Sequence, residues 1–504
     1  MSDSSEELPR RRSRRLSITA IIIIIVALVA GLIVGIIVGR SQSSDDTSPA
    51  PELIWEPLEG GLEQARLVAP ADYDDPDGAT LEVYLVRRPA NDPARRIGSL
   101  LVNPGGPGFG GTVMALGAEQ FFDSALLDRF DIVGFDPRGT GDSTPAIDCI
   151  DDYDELFVTT DLTPDDEAAL AAQQERDRAY AEACVARTGA ALPWLHTSNV
   201  ARDMDLIRRA LNEDTISYFG TSYGCELGAV WASLFADTVR AAVLDACADP
   251  NADPAEGVRQ QATGFQASLE AFLEQCIELG DQCPIYNDGD PQAAYLAVRE
   301  LAATEGIPSM EGRPPVNEAF FRQAVVTAMY SEEVWPALAF GLASALEGDG
   351  SVLTQLTDAY TQRAEDGTWG NALEAFGVVS CLDADSVPTP AEEEALMRDL
   401  ETLAPLLYGE GIYGTSSCAL LPTATETPAT ITGGGASPLL VIGSTGDPAT
   451  PLASTQAMAA VLEGSVLVEV ESNRHGSYRL NDCIDDIVHA TLIDRELPPA
   501  GQRC

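Results

Sequence analysis

Apolar residues follow two different periods along this chain. Thr80-Leu-Glu-Val-Tyr-Leu-Val86 alternates apolar and polar positions, the pattern of a half-buried strand. Gly98-Ser-Leu-Leu-Val102, Phe130-Asp-Ile-Val-Gly-Phe135, Ile216–Phe219 and Ala241–Asp245 are short runs that read as buried strands. Helical patterns separate them, one closing at Leu211 from a start near Asn199 and another from Leu227 to Phe235. Between 251 and 435 the strand alternation stops. Gln260–Glu278, Asn317–Tyr330, Glu333–Leu346, Val352–Arg363 and Ala391–Leu403 repeat apolar residues with a helical period. Strands return at Pro438–Ile442 and Ser465–Val470. Strands alternating with helices predict an α/β fold with a mostly parallel, doubly wound sheet. The chain is then divided into a first core part at 53–250, a helical lid at 251–435 and a second core part at 436–504. Its 504 residues exceed what one compact core holds, which agrees with two lobes.

The first 52 residues read differently. Five arginines between positions 10 and 15 lie in a basic tail (1–17), and Ile18–Gly39 then runs uncharged for 22 residues. At 1.5 Å per residue that run spans ~33 Å, enough for a bilayer's hydrocarbon core. The basic tail predicts a cytoplasmic N-terminus, a single-pass anchor at 18–39, a polar linker at 40–52 and an extracytoplasmic remainder. A cleaved, secreted form is the alternative. The net charge is −49, and every basic residue is arginine. So anionic a surface excludes nucleic acid as a partner. Ten cysteines in an exported chain suggest disulfides, and no spacing resembles a zinc site. Sequence proximity favours Cys276–Cys283 and Cys483–Cys504, followed by Cys149–Cys184, Cys381–Cys418 and Cys225–Cys247.

The candidate chemistry centres on Gly220-Thr-Ser-Tyr-Gly224, a G-x-S-x-G between a strand and a helix. In that context the serine occupies a strained turn, exposed at a helix N-terminus, as a nucleophile must be. A tight turn with an incidental serine is the plain alternative. The loop Asn103-Pro-Gly-Gly-Pro-Gly-Phe-Gly-Gly111 follows a strand and has no lysine for a phosphate. Its backbone suits an oxyanion hole, with donors assigned to Gly106 and Tyr223. Asp136-Pro-Arg-Gly-Thr-Gly141 reads as a rigid turn in which Arg138 braces nearby loops.

Only His196, His475 and His489 are available as a base. The order serine, acid, histidine excludes His196. His489 lies in a helical pattern, whereas His475 lies in a loop after a strand. Asp447 ends another strand and is the candidate acid, with Asp245 as its rival. Ser222, Asp447 and His475 together give a nucleophile, its base and the carboxylate that orients the base. No cofactor or metal is required.

These motifs, with Val243-Leu-Asp245, Tyr330, Trp335-Pro-Ala-Leu-Ala339, Gly348-Asp-Gly350, Gly446-Asp-Pro-Ala-Thr-Pro451 and Arg474-His-Gly476, resemble the α/β-hydrolase family of secreted tripeptidyl aminopeptidases, relatives of proline iminopeptidases. The likeness runs from about residue 53 to the C-terminus. It implies an α/β-hydrolase with an inserted lid, acting on peptides with a free N-terminus and holding the substrate amine with lid carboxylates. Cys225, Cys247, Phe109, Asn473 and Arg474 depart from the expected pattern, and the segment after Trp55 lacks early cysteines. An esterase acting on envelope acyl esters is the competing activity. A non-catalytic binding protein on the same scaffold would be expected to have lost one of the three residues.

Overall fold

The structure, a computed structural model, describes residues 51–164, 166–409 and 417–504. The anchor expected at 18–39 lies outside these residues, and no described helix is long and apolar enough to cross a membrane.

Among the described residues nine strands form one sheet: β1 (Glu56–Pro57), β2 (Glu63–Pro70), β3 (Thr80–Arg88), β4 (Gly98–Asn103), β5 (Phe130–Asp136), β6 (Ile216–Thr221), β7 (Val239–Asp245), β8 (Leu439–Ser444) and β9 (Val466–Val470). Their spatial order is β1-β2-β3-β5-β4-β6-β7-β8-β9. The six strands from β5 to β9 pair in parallel, while β1, β2 and β3 add antiparallel strands at one edge. The pattern agrees with burial. Every residue of β4, β5 and β8 is buried, as expected of strands covered on both faces, whereas β2 alternates and sits near the edge. Residues 56–70 gave no strand expectation, although Ala65, Leu67 and Ala69 alternate as the buried face of β2. They pair because β3 offers a partner.

Two apolar clusters cover the two faces of the sheet. A third forms the core of the helical segment between β7 and β8, around Phe265, Leu269, Phe320, Trp335 and Leu353. Helices Pro254–Leu279, Glu318–Met329, Trp335–Leu346, Ser351–Thr361 and Pro390–Leu403 match the periodic segments read from sequence. Helices Glu167–Thr188, Pro291–Thr304 and Ala372–Asp383 were not anticipated.

The core is not partitioned strictly along the chain. Tyr153 and Phe157, which precede the elbow in sequence, pack into the helical cluster. Ala375, Val378, Val379 and Leu382 of the helix Ala372–Asp383 instead join the sheet cluster. All ten cysteines are paired, in the five pairings expected. Arg138 is buried and braces its surroundings. It pairs with Asp203 at 2.6 Å and donates to the carbonyls of Ala71 and Trp194.

Candidate active site

Parallel strands end on one side of a sheet, so the loops after β4, β6, β8 and β9 meet at a common rim. Ser222 stands between β6 and the helix Tyr223–Leu234 with φ 60° and ψ −126°. A non-glycine residue rarely adopts positive φ, and such strain is found where the backbone must present one side chain. The N–H of Tyr223 is the first of that helix, and the first N–H groups of a helix have no partner within it. It is therefore free to face an incoming oxygen.

Three close approaches bring the loops to the elbow. A side chain at Gly105 would lie 2.7 Å from Ser222 Cβ, so the glycine-rich loop runs directly against the serine. Asn103 shapes that loop by accepting the Gly105 N–H at 2.9 Å, and Gly106 follows with φ +112°. Gly476, next to the histidine, packs 3.1 Å from Thr221 when given a Cβ. Gly446, next to Asp447, would meet Asn473 at 2.3 Å. Bulk at Gly105 would force the loop away from the elbow, whereas at Gly446 and Gly476 it would displace the Asn473 side chain or crowd Thr221.

His475 Nδ1 lies 2.8 and 3.0 Å from the two carboxylate oxygens of Asp447. Asp447 is 3% exposed and also accepts the N–H groups of Ala449 and Thr450. Burial disfavours the imidazolium, but the charge and hydrogen bond of Asp447 outweigh it, so the His475 pKa is raised from 6.5. Nε2 of His475 is buried and, among the described residues, bonds to no protein atom, Ser222 Oγ included. Such contacts are often long before substrate binds.

Asp245 is not bonded to His475. It joins the elbow to the histidine loop: its carbonyl accepts Ser222 N–H at 2.9 Å, and its carboxylate accepts Ser477 and Tyr478 N–H. Burial raises its pKa to about 6. The other histidines are engaged elsewhere. His196 is buried, contacts Thr425 and Asn199, and is lowered by burial to about 4. His489 contacts Asp123 at 2.9 Å. Sequence reading did not anticipate the role of Tyr330, whose carbonyl accepts His475 N–H at 2.9 Å and whose ring meets the imidazole edge-on at 5.4 Å. Asp136 holds its own turn, accepting from Thr112 and Asp142.

A cavity of about 850 Å³ opens at Ser222, Tyr223, Gly106 and Thr450. Among the described residues no cluster of His, Cys, Asp or Glu could hold a metal ion.

Residues 98–282 match the family described as alpha/beta hydrolase fold, and residues 404–504 match the one described as TAP-like protein. The chain is 34% identical over 462 residues to serine protease Hip1 of Mycobacterium tuberculosis, covering 89% of this chain and 88% of that protein. It is 35% identical over 453 residues to carboxylesterase B of the same organism, covering 87% and 86%. It is 33% identical over 448 residues to tripeptidyl aminopeptidase of Streptomyces lividans, covering 85% and 80%. This chain is a serine hydrolase that belongs to the α/β-hydrolase family of Hip1 and the tripeptidyl aminopeptidases.

Proposed function

We propose that the protein is a membrane-anchored, extracytoplasmic exo-aminopeptidase in which Ser222 attacks a peptide carbonyl. The observation that carries this reading is the strained serine at a helix N-terminus, beside a His475–Asp447 pair whose far nitrogen has no protein partner among the described residues. His475 takes the hydroxyl proton as Ser222 adds to the carbonyl, and Asp447 stabilises the resulting imidazolium. The developing oxyanion is held by the N–H groups of Gly106 and Tyr223, each contributing on the order of 10²–10³ in rate. His475 returns the proton to the departing amine. It then activates water to release the acyl peptide from Ser222. The helical segment between β7 and β8 acts as the lid, since it supplies Tyr330 against His475 and much of the cavity wall. The preference for peptides with a free N-terminus follows the tripeptidyl aminopeptidase relatives.

The anchor is assigned to residues 18–39 on their length and apolarity. Five disulfides agree with an oxidising exterior. The likeness to carboxylesterase B supports a second reading, ester hydrolysis with the same three residues. Incubating the purified protein with one peptide, free or N-acetylated, and analysing the products by mass spectrometry separates the two. An exo-aminopeptidase releases short N-terminal fragments from the free peptide alone. Equal cleavage of both forms, or cleavage of acyl esters only, refutes the aminopeptidase reading.

A further inference from the structure

Glycines give the loop 103–111 its close approach to Ser222, but they also leave its backbone soft. A donor that must meet an oxyanion has to be fixed before the reaction begins. Two neighbours fix this loop. On one side, a Cβ at Gly108 would lie 2.3 Å from the Ala372 carbonyl oxygen and 2.8 Å from the Phe376 nitrogen, so the loop rests on the first turns of the helix Ala372–Asp383. On the other, the Phe109 ring comes within 3.1 Å of the Cβ position of Gly106, the assigned donor.

Phe109 is itself held. Its ring meets Tyr360 edge-on, with centroids 5.6 Å apart and planes at 80°. Tyr360 packs on Tyr330 at 6.0 Å, and Tyr330 meets the His475 imidazole at 5.4 Å. Three ring contacts thus run from the oxyanion loop to the base. Phe109 and Tyr330 form no ring contact with each other among the described residues, so Tyr360 is the link between them.

Tyr360 stands on a firm support. It is the penultimate residue of the helix Ser351–Thr361, which Gln362 ends in a left-handed conformation at φ 56°. Leu353 and Thr357 of that helix are fully buried, and the Thr357 hydroxyl donates to the Phe320 carbonyl at 3.2 Å. Two residues before the tyrosine, Asp358 pairs with the Arg313 guanidinium at 2.6 Å, and Arg313 pairs with Asp154 at 2.7 Å. Charge-assisted bonds from a planar guanidinium fix direction as well as distance. The helix therefore offers the two rings a fixed stop.

We infer that Tyr360 is a positioning residue: its ring seats Phe109 against the oxyanion donor Gly106 and Tyr330 against the base His475, so that one point in the lid sets both halves of the catalytic geometry. The inference rests on the proposed roles of Ser222, His475 and Gly106.

The rate of fluorophosphonate labelling at Ser222 tests it, with Tm measured on every variant. Tyr360→Ala should lower kinact by about tenfold, as the loss of two aromatic contacts implies, and leave KI unchanged. Tyr360→Phe keeps the ring and should restore the wild-type rate. A residue that only fills space would instead behave like Phe320→Ala, losing Tm but not rate. Coupling gives a second check. Phe109→Ala and Tyr330→Ala should each slow labelling about fivefold. Together they should slow it by clearly less than the product, because either loss already frees Tyr360. A wild-type rate in folded Tyr360→Ala, a Tyr360→Phe variant as slow as Tyr360→Ala, or a fully multiplicative double variant refutes the inference. If Tyr360→Ala does not fold, the double variant decides. No labelling of the wild type removes the nucleophile itself, whereas labelling indifferent to these three rings removes only the positioning role.

Discussion

At the rim of the sheet, position is set by what is missing from side chains; in the helical segment it is set by bulk. Gly105, Gly446 and Gly476 let three loops touch the elbow or one another: a Cβ would strike Ser222 and backbone at Gly105, push the Asn473 side chain aside at Gly446 and crowd Thr221 at Gly476. The helical segment is held instead by large apolar residues such as Phe320 and Trp335, both almost fully buried. The rim is thus sensitive to added atoms, most of all at Gly105, while the segment over it is sensitive to removed ones. The two regions should fail in different ways: the rim in chemistry, the helical segment in stability.

The largest effect should come from the rim's charge. Asp447→Asn should reduce kcat by on the order of 10⁴ while the protein remains folded. The pH profile checks the cause. Protonated His475 cannot accept the serine proton, so kcat/KM should fall as pH drops through its pKa. Asp447 holds that pKa above 6.5 against burial, so the wild-type acid limb should lie above 6.5. Removing the Asp447 charge should move the limb down in whatever activity remains. A limb unmoved by the substitution would mean that another group titrates.

Next comes geometry without charge. Gly105→Ala places a Cβ 2.7 Å from Ser222 Cβ, at a φ of +112° that alanine avoids. It should cost on the order of 10²–10³ in kcat, as loss of an oxyanion donor does. An active alanine variant would show that this loop is not the donor.

The helical segment should respond differently. Phe320 is 1% exposed and packs against Phe157 with ring centroids 4.8 Å apart. Phe320→Ala should lower stability by about 3–5 kcal/mol, read as a fall in Tm. Below that Tm, fluorophosphonate labelling should proceed at the wild-type rate. Loss of labelling in folded protein would erase the distinction between the regions. The smallest effect should fall where they join. Tyr330→Ala removes a ring stacked edge-on to His475 but keeps the carbonyl that accepts its N–H. It should lower kcat about fivefold, in line with an aromatic contact of ~1 kcal/mol.

The same contrast explains what could be read from sequence. The rim is encoded locally: glycines, a serine between a strand and a helix, and a histidine in a loop after a strand. Gly220 and Gly224 mark the elbow because a Cβ at either would strike nearby backbone, 2.3 and 2.6 Å away. The helical period likewise revealed most of the segment between β7 and β8. What stayed hidden depends on contacts distant in sequence. Nothing near Asp245 shows that its carbonyl and carboxylate would hold two different loops. Nothing near Ala372–Asp383 shows that this helix would pack on the sheet rather than with its sequence neighbours. Strand β2 depended on β3 for its place. Glu226 stands out in the sequence as a lone charge in an otherwise apolar helix, but only the structure shows that it lines the cavity.

The central claim is that the elbow serine is a nucleophile driven by His475. Intact-mass analysis after exposure to a fluorophosphonate tests it directly, using the wild type, Ser222→Ala and His475→Ala. The account predicts a single adduct on the wild type that maps to Ser222, none on Ser222→Ala, and strongly slowed labelling of His475→Ala. An adduct on another residue, or undiminished labelling of either variant, would contradict it.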